Sequence, residues 1–237
     1  MAPVAPWQAH GLLVRDARNG TFVGKCWPGD SSYLDLLAPE ARSYWMSLYT
    51  AGTATGRPGW PHWLHAWNDM NEPSVFDSEE LTLPRDARHR AGGPAETELV
   101  PPADAFGSGA AARGDSPLVE DVEHRVVHNA YGLLQAASSH AGLVARSGGI
   151  ERPFLLSRSF FVGSARYGAL WTGDNTGTWE HLRLSFAMVL TIALSGHSFA
   201  GADVGGFFGA PTPLLLARWC APTQRPLPSP TPTSTHP

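Results

Sequence analysis

The sequence predicts an α/β fold built from parallel strand–helix units, and two observations carry that prediction. Four short apolar runs each end in a charged residue, and those residues are Asp69, Arg158, Asp174 and Asp203. Two of the runs lead into segments with helical spacing, which is the alternation typical of a parallel sheet. Because the carboxyl ends of parallel strands lie at one edge, we expect the four side chains to converge, as in a (β/α) barrel active site.

Length and composition are those of a globular domain and exclude some classes of function. The chain has 237 residues, 43% hydrophobic content and a net charge of −4, so it carries no basic footprint for nucleic acid. Its two cysteines, Cys26 and Cys220, are too few for a disulfide framework or a zinc cluster. Nine tryptophans suit either a packed core or the stacking surfaces of a sugar-binding site.

The sequence contains no pattern for export or membrane insertion. The first ten residues include two prolines and lack the basic and apolar regions of a signal peptide. The most apolar segment, residues 182–194, is too short to span a bilayer and includes Arg183. We therefore expect a soluble chain that has no signal peptide and no contact with membranes.

The first third of the chain leads up to the first charged strand end. Residues 11–14 and 22–29 are short extended runs, and the second closes in a Pro-Gly turn. Residues 39–49 have helical spacing, with Pro39 suited to the first turn. Residues 62–67 form an apolar run of the length of a buried strand, and it stops at Asp69.

Two segments lack the periodicity of packed structure. Residues 77–122 are rich in Ala, Gly, Pro and acids and are interpreted as a mobile surface insertion, with its core at about 91–122. Residues 220–237 are a Pro/Ser/Thr-rich tail with no apolar period, and we expect that tail to be disordered. The predicted domain therefore comprises residues 1–219.

Regular alternation resumes after the insertion. A helix is predicted from residue 123 to about 143, followed by strands at 154–157 and 167–173. Thr178 is a suitable N-cap for the next helix. A last strand at 198–202 and a helix at 213–219 complete the pattern.

Asp69 and Asp174 are the best candidates for a pair of catalytic carboxyl groups. Each ends a strand-like run beside a tryptophan and an amide. A retaining glycosidase needs two carboxyl groups about 5–5.5 Å apart, one as nucleophile and one as acid/base. On local pattern alone Glu72 is an equal candidate for the nucleophile, and Asp174 is equally compatible with a turn residue before the helix.

The remaining strand-end residues suit the binding of sugar hydroxyls. Arg158 can pair with the carboxylates or with hydroxyls, and Asp203 can grip two hydroxyls at once. The alternatives are a core ion pair for Arg158 and a turn before Gly205 for Asp203. A metal-dependent hydrolase is disfavoured because the ten histidines do not follow the spacing of ligands, so no metal or other cofactor is expected.

Three long motifs then resemble one known family. Residues 67–76 (WNDMNEPSVF) look like the nucleophile signature of glycoside hydrolase family 31, in the variant of the endoplasmic reticulum glucosidase II catalytic subunit and the neutral α-glucosidases. Residues 152–176 are similar to its acid/base block, and residues 199–207 to its next strand. The similarity covers roughly residues 11–219 outside the insertion.

The resemblance implies a retaining α-glucosidase on a (β/α)8 barrel that acts through a covalent glycosyl-enzyme intermediate without a metal. Asp69 matches the nucleophile and Asp174 the acid/base. The positions that match substrate-binding residues are Trp67, Arg158, Trp171, Asp203 and Phe207. The implied substrate is α-1,3-linked glucose on N-glycans in the endoplasmic reticulum lumen, and the implied partner is a non-catalytic β subunit.

The resemblance also implies that this chain is a fragment. The family has an upstream β-rich domain, earlier barrel strands and a last strand with an Arg-Ala-His motif, so we expect about strands four to seven here. An open half-barrel exposes strand edges, which lowers stability and activity. The alternative function is a non-catalytic carbohydrate-binding or regulatory fragment that associates with a full-length subunit.

Overall fold

The computed structural model describes residues 11–50, 63–90 and 121–221. The chain divides after Leu170 into two compact units. The strands are β1 (Val23–Cys26), β2 (Gly29–Ser32), β3 (Ala66–Asn68), β4 (Arg88–Arg90), β5 (Asp121–Glu123), β6 (Leu155–Ser157), β7 (Ala169–Trp171) and β8 (Ala200–Gly201). The helices are α1 (Pro39–Ser47), α2 (His124–Arg146), α3 (Trp179–Leu194) and α4 (Pro213–Cys220), and a 3-10 turn spans Ser164–Arg166.

A parallel sheet forms the centre of the first unit. β6 pairs in parallel with β3 on one side and with β7 on the other. Asn68 stands opposite Ser157, so the residues that follow β3 and β6 leave the sheet at the same edge. The predicted parallel α/β arrangement is confirmed, as an open part of a barrel rather than a closed one.

The strands are shorter than the sequence predicts, and β3 differs in burial. Asn68 is 4% exposed whereas Trp67 is 64% exposed, so the run that ends at Asp69 is not a strand buried on both faces. Successive side chains of a strand point to opposite faces, and here the polar Asn68 faces the packed side. Trp67 therefore stands on the accessible face, two residues before Asp69.

Part of the predicted insertion is packed. Leu83 and Ala87 are buried with Val14 and Val75 in one cluster. The isolated bridge between Ser74 and Thr82 holds the start of this segment against the loop after β3. The interpretation of residues 77–90 as mobile surface was wrong, because the apolar side chains of Leu83 and Ala87 pack in the core. The rest of the insertion, residues 91–120, lies outside the described residues, and β5 begins at Asp121.

Helix α2 is the main element against the sheet. Its residues Tyr131 and Leu134 are buried with Leu36. Its small residues allow close approach, and Gly132 and Gly142 lie where an added Cβ would meet neighbouring atoms at 2.6 Å and 2.8 Å respectively. The helix runs three residues beyond the predicted end at 143, to Arg146.

The second unit contains helices α3 and α4. Thr178 caps α3 as predicted, because its Oγ1 accepts the amide hydrogen of His181 at 3.2 Å. Leu182 of α3 packs on Leu215 and Trp219 of α4. Helix α4 extends one residue into the predicted tail, and the tail from residue 222 onward lies outside the described residues.

A relay of buried histidines crosses the first unit. The Asp35 carboxylate lies 2.8 Å from His89 Nδ1, His89 Nε2 lies 2.9 Å from His124 Nδ1, and His124 Nε2 lies 2.9 Å from His128 Nδ1. Asp35 and His89 are fully buried and His124 is 2% exposed. With each imidazole neutral and protonated at Nδ1, every nitrogen between Asp35 and His128 has a partner.

The relay opposes protonation of its central member. Burial, followed by the nearby His89 and His128, lowers the pKa of His124 to about 3. An unfolded histidine binds a proton below about pH 6.5. Between these two pKa values the unfolded state binds a proton at His124 and the folded state does not. The free energy of unfolding therefore falls as the pH decreases from about 7 towards 3.

We expect hydrogen–deuterium exchange in α2 to report this dependence. After correction for intrinsic rates, the opening free energy of α2 amides should fall between pH 7 and pH 5 by up to about 1.4 kcal/mol per pH unit. His124→Gln should weaken the helix at pH 7 but flatten the slope, whereas the exposed control His65→Gln should keep it. A wild-type slope in His124→Gln would contradict the prediction.

Candidate active site

Asp69 and Arg158 form an ion pair at the carboxyl edge of the parallel sheet. Asp69 follows β3 and Arg158 follows β6, and the register of those strands makes them neighbours. Arg158 Nη2 lies 2.6 Å from Asp69 Oδ1, with the side chains 23% and 33% exposed. A charge-assisted hydrogen bond of this length fixes the carboxylate while leaving one side open to solvent.

Backbone groups complete the setting of the pair. The Met70 amide donates to Asp69 Oδ1 at 2.8 Å. The Arg158 amide donates to the Asn68 carbonyl at 3.0 Å, which extends the β3–β6 ladder by one bond. Met70 has φ of 58°, so the chain turns sharply as soon as it leaves the strand. The carboxylate is therefore presented at the strand end rather than along the sheet.

Asn71 links the loops that carry the two charges. It is 2% exposed. Its Nδ2 donates to Ser157 Oγ at 2.9 Å, and its Oδ1 accepts the Ser159 amide hydrogen at 2.9 Å. Ser157 Oγ in turn donates to the Ser159 carbonyl at 2.9 Å. The two residues that flank Arg158 are thus both held by one amide side chain two positions after Asp69.

A buried serine anchors β3 from the opposite side. Ser139 of α2 is fully buried, and its hydroxyl exchanges hydrogen bonds with the Asn68 side chain at 3.0 and 3.1 Å. Trp45 Nε1 donates to the same hydroxyl at 2.8 Å. Tyr49 contacts it as well, and burial raises the pKa of that phenol. These bonds hold Asn68, the residue before Asp69, against α1 and α2.

A cleft of about 330 Å³ opens beside Asp69. Its walls combine apolar faces with polar tips, as sugar-binding clefts require. The residues that line it include Trp45, Tyr49, His65, Trp67, Asp69 and Gln135.

Glu72, the other carboxylate of the motif, is oriented differently. The Ser74 hydroxyl donates a hydrogen bond to Glu72, which precedes Pro73 in the loop. Arg158 pairs with Asp69. The local pattern left these two carboxylates equal as candidates, and the structure gives them different partners, Arg158 for Asp69 and Ser74 for Glu72.

In the second unit, Asn175 ties together the loops after β7 and β8. Its side-chain Nδ2 donates to the Asp203 carbonyl at 3.1 Å. Its own carbonyl accepts the amides of Phe207 at 2.7 Å and Phe208 at 3.1 Å. Asp174, the predicted acid/base, is exposed directly before Asn175. The structure thus brings the predicted Asp203 and Phe207 into one network with the neighbour of Asp174.

Gly206 makes this network possible. Its φ is 92°, and an added Cβ would lie 2.2 Å from the Gly177 nitrogen. A glycine is required at this point because a side chain would occupy the space of the neighbouring backbone. The close approach allows the β8 loop to lie against the loop that leads from Asp174 to α3.

The three predicted aromatic walls differ in exposure. Trp67 is 64% exposed and Phe207 is 57% exposed, whereas Trp171 is 6% exposed. Phe207 packs edge-on against Phe208 with ring centroids 4.8 Å apart. Trp67 and Phe207 can present a face to a ligand, and most of Trp171 is enclosed by protein.

One exposed aromatic pair was missed by sequence reasoning. Trp27, in the turn between β1 and β2, packs edge-on against Phe76 with centroids 5.1 Å apart. They are 79% and 41% exposed. The Phe76 amide donates to the Lys25 carbonyl, and the Lys25 amide donates to Asp77, so the hairpin and the motif loop are joined. Phe76 is the last residue of the motif 67–76, and that position was the sequence signal that could have identified the pair.

The described part of the chain has neither of two other features. Residues 11–50, 63–90 and 121–221 include no group of three or more His, Cys, Asp or Glu side chains arranged to hold a metal ion. No helix within those ranges combines the length and apolarity needed to cross a membrane.

The geometry and the sequence agree with a known family. The family description "Glycosyl hydrolases family 31 TIM-barrel domain" matches residues 1–222. The chain belongs to glycoside hydrolase family 31. This explains the parallel strand–helix units and the charged residues at the strand ends.

Curated relatives in family 31 are considerably longer than this chain. It is 47% identical over 209 residues to "Probable glucan 1,3-alpha-glucosidase" of Arabidopsis thaliana, a match that covers 88% of this chain and 19% of that protein. It is 45% identical over 210 residues to "Neutral alpha-glucosidase AB" of Mus musculus, covering 89% and 19%. The chain therefore spans about a fifth of the length of these relatives.

Solved structures give the same assignment. The glucosidase II alpha subunit in its Glc1Man2-bound form matches with a TM-score of 0.73 and 38% identity, covering 90% of this chain and 20% of that chain. A family 31 α-glucosidase from Bacteroides thetaiotaomicron matches with a TM-score of 0.60 and 33% identity, covering 87% and 27%. The described strands and helices are therefore part of a TIM-barrel domain.

We expect Asn175→Ala to loosen the loop after β8. The substitution removes the bond to the Asp203 carbonyl, which costs about 1 kcal/mol. Amide exchange of Phe207 and Phe208, measured by NMR, should become faster by about fivefold. Thr191→Ala, which removes an exposed hydroxyl bond within α3, serves as the control and should leave these amides unchanged. Unaltered exchange in Asn175→Ala would contradict the role of Asn175.

Proposed function

We propose that this chain carries the catalytic centre of a retaining α-glucosidase, with Asp69 as the nucleophile and Asp174 as the acid/base. The observation that supports it most directly is the ion pair between Arg158 and Asp69 at the edge of the parallel sheet. A carboxylate held by a guanidinium and a backbone amide, half open to a cleft, is suited to attack a sugar carbon.

The first step transfers the glucosyl group to the protein. Within the described residues, both hydrogen bonds to the Asp69 carboxylate fall on Oδ1. We therefore assign Oδ2 to the bond with the anomeric carbon. As that bond forms, the glycosidic bond breaks and its oxygen takes the proton of the Asp174 carboxyl group.

The second step releases glucose. Asp174, now a carboxylate, takes a proton from a water molecule whose oxygen attacks the anomeric carbon. The ester bond to Asp69 breaks and the carboxylate returns to its pair with Arg158. Two inversions give net retention, and the proton lost by Asp174 in the first step is regained in the second.

The sugar-binding roles follow the chemistry of the partly and fully exposed side chains. Arg158 donates to hydroxyl oxygens, Asp203 accepts from hydroxyl groups, and the faces of Trp67 and Phe207 stack on the ring. Of the three aromatic side chains, Trp171 offers a ligand the least surface, since it is 6% exposed.

The proposed substrate is terminal α-1,3-linked glucose on N-glycans. This rests on similarity to proteins named glucan 1,3-alpha-glucosidase and to a glucosidase II alpha subunit solved with Glc1Man2. One such structure is a heterodimer with the binding domain of a regulatory subunit. A non-catalytic β subunit is therefore the proposed partner, and the endoplasmic reticulum lumen the proposed location of the whole protein.

Hydrolysis of an aryl α-glucoside by the purified chain tests the catalytic proposal. We expect measurable release of the phenol by the wild type and a loss of about a thousandfold or more in Asp69→Asn. Asp86→Asn, an exposed carboxylate two residues before β4 and outside the Asp69 cleft, is the matched control and should retain the rate. With disaccharides, α-1,3-linked glucose should be cleaved faster than α-1,4-linked glucose.

A second candidate function is non-catalytic. The exposed Trp67 beside the cleft at Asp69 favours a carbohydrate-binding or regulatory role in association with a full-length subunit. Equal background rates for wild type and Asp69→Asn would reject catalysis by this chain. Binding of a glucose analogue, measured by calorimetry and lost in Arg158→Ala, would then support the second function.

A further inference from the structure

The turn that carries Arg158 is held from two sides by residues that do not touch the proposed reacting atoms. On one side, Asn71 binds Ser157 Oγ and the Ser159 amide, each at 2.9 Å. On the other, Gly132 of α2 lies so close that an added Cβ would be 2.6 Å from Ser159 Cβ and Oγ. The same Cβ would be 3.0 Å from the Asn71 carbonyl oxygen.

These contacts leave the Arg158 backbone little freedom. The residue before Arg158 sits in β6, its own amide bonds the Asn68 carbonyl, and the residue after it is fixed by Asn71 and backed by α2. A guanidinium reaches its partner through a long flexible stem, so its position depends on where its Cα is held. A fixed turn therefore favours the geometry in which Nη2 lies 2.6 Å from Asp69 Oδ1.

We infer that Asn71 and Gly132 are positioning residues, which clamp the 157–159 turn so that Arg158 stays on the Asp69 carboxylate. Asn71 supplies the polar half of the clamp and Gly132 the steric half. The consequence for catalysis rests on the proposed role of Asp69 as nucleophile, whereas the placement of Arg158 does not. An error of about 1 Å in such a group is sufficient to cost about a hundredfold in rate.

Helix α2 supplies a matched control for the steric half. An added Cβ at Gly142, ten residues further along the same helix, would lie 2.8 Å from the Met46 carbonyl oxygen and 3.0 Å from Tyr49 Cδ2. Gly132→Ala and Gly142→Ala are therefore the same substitution with similar crowding. Only the first crowds the turn that carries Arg158.

The first measurement is independent of activity. Rotation of the Arg158 guanidinium is measured by NMR in the full chain with labelled arginine, and Arg158→Lys assigns the signal. Rotation should be slow in the wild type and in Gly142→Ala, and about tenfold faster in Asn71→Ala and Gly132→Ala. Slow rotation in both Asn71→Ala and Gly132→Ala would overturn the inference.

The second measurement separates positioning from stability. A fluorinated glucosyl fluoride that traps the covalent intermediate is reacted with each variant, and the rate per folded molecule is determined together with thermal stability. The maximal labelling rate should fall about tenfold to a hundredfold in Asn71→Ala and Gly132→Ala, with a smaller effect on reagent affinity. Gly142→Ala should lose similar stability and keep the maximal rate. Because its methyl group crowds Tyr49 of the cleft wall, any further loss should fall on reagent affinity.

The outcomes distinguish the inference from the proposed function. Rate losses that follow only the unfolded fraction in all three variants would mean a structural role alone and would overturn the inference. If no variant is labelled, the wild type included, while the guanidinium is released in Asn71→Ala and Gly132→Ala, the clamp is supported and the proposed catalysis fails.

Discussion

The parallel register between β3 and β6 is the constraint on which the site depends. Asn68 opposite Ser157 makes Asp69 and Arg158 the next residues out of the sheet on adjacent strands. A shift of one strand by one residue would turn its side chains to the other face and separate Asp69 from Arg158. The ion pair is thus a consequence of backbone pairing, and the polar contacts around it serve to keep the strands from slipping.

Polar side chains at the strand ends stabilise that register at places where apolar packing cannot. Asn68 and Asn71 are both nearly buried, and each is bonded to a buried serine, Ser139 and Ser157 respectively. A buried amide is costly unless it is satisfied, so each pair strongly disfavours any arrangement in which the partner is displaced. The motif around Asp69 therefore contains both the reacting group and the means of locating it.

Sequence patterns predicted where strands and helices lie better than they predicted which side chains are buried. The four strand ends and the cap at Thr178 were found because an apolar run followed by a charge, and a threonine before a helix, are local signals. Burial of Trp171 and exposure of Trp67 were not predictable, because strands of three residues give too little alternation to assign a face. The burial of Leu83 was not predicted either, because most of its neighbours in residues 77–90 are polar.

The candidate site was partly predictable for the same reason. Asp69 and Arg158 were identified individually, and their pairing at 2.6 Å needed the register. Asn71 and Gly132 were missed as contributors, since a clamp between residues 61 positions apart has no local pattern. The histidine relay was missed likewise, although His124 and His128 stand one helical turn apart, which was a usable signal.

The histidine relay also bears on the solution conditions that the first unit tolerates. His124 is buried and resists protonation, whereas the unfolded chain takes up that proton readily in acid. Acidification therefore acts on the interior of the first unit and not only on its surface charges. Mildly alkaline buffers are the conditions in which this buried histidine opposes the fold least.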